Sequence, residues 1–457
     1  MKTQNKILVI TVFALVSLGA RAQEPEAPLE DQPISPPPIL NGQGPSLAFQ
    51  AETTRTNYLS GGVSLTGMFT DNVFLSSTNP VGDFSYAIQP YMRFSRSTPR
   101  VNWDMSFGAG LLVYQRQGTQ NQFTKNFGLD LTYRLSQHLR LRLSETFTDR
   151  TGIFSAVNSD VSGPSIGVIE QSNNSLVVAP IQRTVGNAIL AETSYQFSAN
   201  SLAGVRGVFS ILDFPNSSQN AQFGPLYNTQ TYLAEAFFNH QVSTEQWLGV
   251  SLRVQHFNQQ PSISSTDTAS LLLYYSVAPA PTITLSFFGG PEYYNTSFNS
   301  EIATADGLSQ HPQWSPAVGA TFNWRGKNTS LTAGYSRQLS DGGGLPSAVI
   351  LQQVNGSLRW QLGRRQELDF DAAYAFNESV QPGYNFHSQI SSVAFQRTLR
   401  PGLLLGVGCA HQRQDVPSNH SVVDVNTSWV YVSYGFSHPL GSGGSKASTK
   451  PAGRFTP

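Results

Sequence analysis

The sequence predicts an all-β protein, a transmembrane antiparallel up-and-down β-barrel of about 18 strands, and three observations predict it. Charged residues make up only 12% of the 457, about half the share usual in soluble proteins. The stretch from about 58 to 438 alternates polar and apolar residues with a period of two and carries no 3.6-residue pattern. Tight turns alternate with longer, variable connections, as short periplasmic turns alternate with outer loops in outer-membrane barrels.

The chain divides into four parts. Residues 1–22 read as an export signal: Lys2 and Lys6, the apolar run Ile7 to Leu18, then the small-x-small site Ala20-Arg21-Ala22. That run is too short to cross about 30 Å of hydrocarbon as a helix. Residues 23–57 are expected to form an acidic, Pro-rich periplasmic linker; the span 23–45 holds seven prolines, four carboxylates and no basic residue. The barrel occupies 58–438, and 439–457 is a flexible tail made basic by Lys446, Lys450 and Arg454. Cys409 is the sole cysteine, which excludes an intrachain disulfide framework and a Cys-based metal cluster. A net charge of zero gives no electrostatic reason to expect nucleic acid as a partner.

Individual strands show the alternation. In DFSYAIQPYMRFSRS the apolar set is Phe84, Tyr86, Ile88, Met92 and Phe94. In VNWDMSFGAGLLV it is Val101, Trp103, Met105, Phe107, Leu111 and Val113; in QWSPAVGATFNWRG it is Trp314, Val318, Phe322 and Trp324. The stretch LTYRLSQHLRLRLSETF interleaves arginine with leucine, which a hairpin folded about Gln137 explains. It sets Leu135, Tyr133 and Leu131 opposite Leu139, Leu141 and Leu143 on one face, and Arg134 and Thr132 opposite Arg140 and Arg142 on the other.

Eight tight links fall at 96–100, 136–138, 198–201, 243–246, 278–281, 325–328, 363–366 and 399–402. Strands on both sides of each, with one before and one after, make about eighteen; sixteen results if one strand has been split too finely. Each strand descending to the short-turn side carries an aromatic near its end: Phe94, Tyr133, Phe197, Phe238, Tyr275, Trp324, Trp360, Phe395 and Phe436. Rings at one height form an interfacial girdle at the periplasmic headgroup level.

Charges within strands share parity with the polar face: Arg93, Asp104, Asp130, Arg134, Arg140, Arg142, Glu192, Arg206, Glu235, Arg253, Arg359, Asp369 and Asp371. A charge on the lipid face near the midplane costs roughly 2–4 kcal/mol, so this set is expected to line the lumen, either as a pore lining or as ion pairs that fill a barrel. Mixed signs argue against strong ion selectivity. Lys125, Glu145 and Arg337 are the exceptions, placed toward the loop ends. The longest connection, 150–184, is the third outer loop and is read as a constriction folded into the lumen, or else as an external lid.

Catalytic and metal readings are weaker. His420, Ser421 and Asp424 lie too close in sequence to assemble a triad from spatially placed groups. Glu367, Asp369 and Asp371 could share Ca²⁺, but with Arg364 and Arg365 beside them they read more simply as a charged rim. DGGGLP, 341–346, is read as an outer loop; without a preceding buried strand, a helix and a lysine it is no phosphate loop. No catalytic residue, metal or cofactor is assigned.

The first hairpins, GMFTDNVFLSSTN (67–79) and SYAIQPYMRFSRSTPRVNWDMSF (85–107), resemble the outer-membrane β-barrel porin family of Gram-negative bacteria, of the exopolysaccharide-associated type. The last strand, WVYVSYGF (429–436), resembles the aromatic-ended signal read by the barrel assembly machinery, although the chain continues past Phe436. The resemblance implies a bacterial outer-membrane location, contact with outer-membrane lipid and no catalytic residues. The function expected is a porin-like channel for small polar solutes or glycan chains (polysaccharide), with Tyr114 and Tyr274 on the wet face suited to sugars. A non-conducting structural or surface-adhesion barrel is the alternative, and an outer-membrane hydrolase a third.

Overall fold

The computed structural model describes residues 57–439, apart from 75, 152–182, 216–225, 261–262, 299–311, 346, 381–384 and 417–420. The export signal, the linker up to residue 56 and the C-terminal tail from 440 therefore lie outside the described residues. Eighteen strands follow one another in chain order: β1 (Tyr58–Thr70), β2 (Asp83–Ser97), β3 (Val101–Tyr114), β4 (Gln122–Arg134), β5 (Leu139–Thr151), β6 (Arg183–Ser198), β7 (Ser201–Asp213), β8 (Asn228–Ser243), β9 (Gln246–Gln260), β10 (Ser264–Ala280), β11 (Ile283–Phe298), β12 (Gln313–Arg325), β13 (Thr329–Ser340), β14 (Val349–Gly363), β15 (Gln366–Ser379), β16 (Phe386–Arg400), β17 (Leu403–Val416) and β18 (Ser421–Pro439). A 3₁₀ turn, Gly118–Gln120, interrupts the connection between β3 and β4.

Each strand pairs antiparallel with its sequence neighbours, and β1 pairs with both β2 and β18, so the sheet closes. Closure removes the unpaired edges that hydrocarbon cannot satisfy. The seam is in register from Tyr58↔Pro439 to Thr70↔Thr427. At its outer end the Asn426 amide N–H and Nδ2 donate to the two Asp71 carboxylate oxygens at 2.8 and 2.7 Å.

The arginine–leucine stretch folds as its alternation requires. Arg134↔Arg140, Thr132↔Arg142, Tyr133↔Leu141 and Leu131↔Leu143 are directly opposed, and the Leu135 amide donates to the Leu139 carbonyl at the turn. Elsewhere too, a period of two sorts residues by face. On β10, Leu271 and Leu273 point outward and are 48% and 60% exposed, while Leu272 and Tyr274, which alternate with them, are 2% and 4% exposed. Outward apolar side chains with no protein to cover them would be intolerable in water over so many strands, and they form a lipid-facing band.

Candidate functional site: the lumen and an in-folded loop

The inner face of β2 to β9 carries a row of charges linked by register. Arg93 donates to Asp104 (Nε to Oδ1, 2.9 Å). Asp104 lies opposite Asp130, which accepts from Arg142 at 2.7 Å. Arg142 lies opposite Glu192, Glu192 opposite Arg206, Arg206 opposite Glu235 and Glu235 opposite Arg253. Glu235, with its side chain fully buried, accepts from Arg206 at 2.6 Å and faces the Arg253 Nε at 3.5 Å. Signs alternate along this row except at Asp104 and Asp130, two directly opposed carboxylates that are each paired with the arginine on their outer flank. Arg134 and Arg140 oppose each other nearer the short turns; the Arg140 Nε contacts the Ser194 hydroxyl at 3.4 Å.

A second group sits on β14 and β15. Arg359 lies between Glu367 and Asp369, at 3.0 and 2.9 Å. Gln396 donates to both carboxylates and accepts from the Tyr431 hydroxyl. The carboxylates considered for Ca²⁺ thus already hold a guanidinium. Asp371 follows at the same parity, opposite Ser357 and Ser392.

One structural element was not anticipated from the sequence. Pairing between β12 and β13 stops at Val318↔Arg337, two positions short of Pro316, which would stand opposite Leu339. Proline has no N–H for the ladder. The Arg337 guanidinium takes the Pro316 carbonyl at 2.6 Å, and the Leu339 N–H turns instead to the buried Glu292 carboxylate of β11 at 3.0 Å. Freed from its neighbour, the end of β13 feeds residues 341–348 inward. The Asp341 carbonyl accepts from Gln259 on β9 at 3.1 Å, the Tyr227 N–H donates to the Gly344 carbonyl at 2.9 Å, and Leu339 and Ala348 pack with Phe257 and Tyr294. A connection that starts on β13 is therefore fastened to β8 and β9. Gly342 and Gly344 have φ of 80° and 103°, and a Cβ on Gly344 would stand 2.7 Å from the Phe214 ring. Glycine is required there by both conformation and space.

The expected constriction at 150–184 lies almost wholly outside the described residues, so the in-folded element seen is 341–348. From sequence, 341–346 was expected to be an outer loop and not a phosphate loop, with no inward course assigned to it. The expected sugar platforms also differ from expectation. Tyr114 is 8% exposed in a cluster with Leu112, Met68, Trp429 and Tyr431. Tyr274 is 4% exposed, bonded to the Ser251 hydroxyl and packed on Phe288.

The nine girdle aromatics all fall on outward positions of descending strands; Phe94 meets Trp103 at 4.6 Å and Phe197 meets Phe238 at 5.8 Å between ring centroids. Outward charges are more numerous than the three exceptions named from sequence. Besides Lys125, Glu145 and Arg337, the outward set includes Asp149 with Arg183 (2.8 Å), His256 with Asp267 (2.8 Å), and Arg413 with Asp415 (3.1 Å). Glu145, expected toward a loop end, instead stands midway along β5, opposite Leu129 and Ile189; the others sit toward the long-loop ends of their strands, where the cost of exposing charge to lipid falls away. Asp424, considered for a triad, belongs to this outer set beside Arg413, and His420 lies outside the described residues.

A closed barrel of this strand number, wrapped in an apolar band above an aromatic row, has the architecture of a bacterial outer-membrane protein. No protein-family model matches the sequence, and no curated protein matches it. Among solved structures the chain is similar to OccAB4 of Acinetobacter baumannii, at 12% identity over 84% of this chain and 99% of that one, with a TM-score of 0.41. It is similar to OpdK of Pseudomonas aeruginosa, solved with vanillate, at 10% identity over 83% of this chain and 99% of that one, with a TM-score of 0.42. It is also similar to OpdO of Pseudomonas aeruginosa, at 12% identity over 84% of this chain and 97% of that one, with a TM-score of 0.42.

Proposed function

We propose that this chain is an outer-membrane, porin-like channel for passive passage of small polar solutes, with residues 341–348 as its constriction. The observation that carries the reading is the combination of a polar, ion-paired inner face with a loop fastened across it. Barrels of 16 to 18 strands leave an aqueous lumen unless something fills it. The less buried charges of β2 to β5, Arg93, Asp104, Asp130 and Arg142, offer a passing solute hydrogen bonds of both polarities without strong preference for one sign. No catalytic role is assigned to any residue.

Passage of a glycan chain, as the exopolysaccharide-associated resemblance implies, finds less support, because Tyr114 and Tyr274 are packed into the wall. A non-conducting scaffold is favoured by one observation: buried apolar clusters on the inner face, such as Met68, Leu112, Tyr114, Trp429 and Tyr431, occupy space that a wide pore leaves open. Single-channel conductance in planar bilayers separates the two readings. The wild-type chain should give stable steps, and a chain in which 342–347 is replaced by a two-residue link should give larger ones. Silence from both proteins, each shown to be folded by heat-sensitive gel mobility, overturns the channel and leaves the scaffold. A parallel deletion of 152–182 tests whether that loop adds a second constriction.

A further inference from the structure

The lipid-facing wall changes character below the aromatic row on β14 to β17. Trp360, Leu368, Phe395 and Val407 stand side by side in register, all outward and apolar. The next outward row toward the short turns is Gln366, Arg397 and Leu405, again in register. Arg397 therefore shares a face with Phe395, about 7 Å further along the strand. The two turns beyond this row, after β14 and after β16, add Arg364, Arg365 and Arg400 and no carboxylate. All four arginines are exposed, and so are Trp360, Leu362 and Leu399 beside them.

None of the four has a carboxylate partner among the described residues. Glu367, just past the first turn, faces the lumen, held by Arg359 at 3.0 Å and Gln396 at 2.8 Å. The backbone fixes both turns in place: the Thr398 N–H donates to the Arg365 carbonyl at 2.8 Å, and the Gly435 N–H donates to the Gly402 carbonyl at 2.7 Å. Two strand spacings, about 10 Å, separate the turns, which is no more than one Debye length in 0.1 M salt. Like charges held that close repel one another, and an anion seated among them would relieve the cost. The turns after β6, β8 and β10 differ: SANS, STEQ and APAP carry one charge, Glu245.

We propose that the short-turn patch of β14 to β17 binds the headgroup of an anionic phospholipid from the periplasmic leaflet. Arg364, Arg365, Arg397 and Arg400 take the phosphodiester oxygens, for which the guanidinium fork is well shaped. Trp360 and Phe395 lie along the start of the acyl chains, at the level where rings meet headgroups. A soluble acidic partner could reach the two turns, but Arg397 projects from the lipid-facing wall and selects a ligand already in the bilayer. The site is independent of whether the barrel conducts.

The test is native mass spectrometry of the folded protein in a neutral detergent, titrated with phosphatidylglycerol and, separately, with phosphatidylcholine. The first phosphatidylglycerol should bind at least tenfold more tightly than phosphatidylcholine, since a cation near an anionic surface contributes about fivefold. Changing Arg364, Arg365, Arg397 and Arg400 together to Gln should erase that preference, and Arg397→Gln alone should lower it about three- to fivefold. Heat-sensitive gel mobility checks that each variant is folded. Arg413→Gln, which removes a cation at the opposite end of the barrel wall, should leave the preference unchanged. Equal binding of the two lipids by the natural chain overturns the proposal. An equal loss of preference in Arg413→Gln overturns it too, because net charge and not this patch would then be responsible. Displacement of the lipid by an equal concentration of glycerol 3-phosphate or inorganic phosphate would assign the arginines to a soluble phosphate and likewise overturn it.

Discussion

The buried triad Arg206–Glu235–Arg253 allows a quantitative expectation. The Glu235 side chain is fully buried and its two arginines are 10% and 6% exposed, so neither guanidinium can turn to bulk water if the carboxylate is lost. Glu235→Gln keeps the shape and one acceptor but leaves two cations facing each other across a neutral group. Breaking a buried pair by removing one partner costs about 3–5 kcal/mol. For a denaturant slope near 3 kcal/mol per molar, that is a loss of about 1 M or more in the urea midpoint. The assay is urea unfolding of the vesicle-folded protein, followed by tryptophan fluorescence and gel mobility. Asp415→Asn is the internal control: it breaks the Arg413 pair, whose members are 45% and 41% exposed, and should cost about 0–1 kcal/mol. If the two substitutions shift the midpoint equally, burial does not govern these pairs and the assignment of a buried, mutually dependent Arg206–Glu235–Arg253 triad is refuted.

Two other substitutions probe the remaining features. Leu271→Arg, on the outward face midway along β10, should destabilise the barrel by about 2–4 kcal/mol in the same assay, and a cost below about 1 kcal/mol would remove that strand from the lipid-facing band. Gly344→Val combines a φ of 103° with a Cβ 2.7 Å from Phe214, so the loop should leave its seat with about 1–3 kcal/mol of local strain relieved, and conductance should rise toward that of the shortened-loop variant.

Much of the barrel was legible because each face of a strand answers to a different solvent. Arg134, Thr132 and Asp130 could be paired with Arg140, Arg142 and Ser144 from sequence because shifting the register by one residue would send arginines into lipid. The girdle was legible because a ring at the interface need only recur near each turn. What escaped was whatever depends on contacts beyond the alternation within a strand. Pro316 is unremarkable in QWSPAVGATFNW until the β12–β13 ladder is seen to stop short of it, and nothing local marks Glu292 until the Leu339 amide needs an acceptor. Asp149, Asp267 and Asp415 were missed because parity alone does not reveal height, and height decides whether an outward charge meets hydrocarbon or headgroups. Tyr114 and Tyr274 were correctly placed on the wet side, but which neighbours would cover them is set by curvature that no local pattern encodes.

The seam between β1 and β18 has a kinetic consequence. Every other pairing joins strands consecutive in sequence, and each can form as soon as its hairpin exists. The ladder from Tyr58↔Pro439 to Thr70↔Thr427 joins the two ends of the barrel's sequence, so its loop-closure entropy cannot be met until the last strand is delivered. Until then two strands expose unsatisfied amides, and the half-built sheet must be shielded by a surrogate edge. The Asp71–Asn426 clasp lies at the outer end of that seam, and locking it would convert a growing sheet into a finished wall.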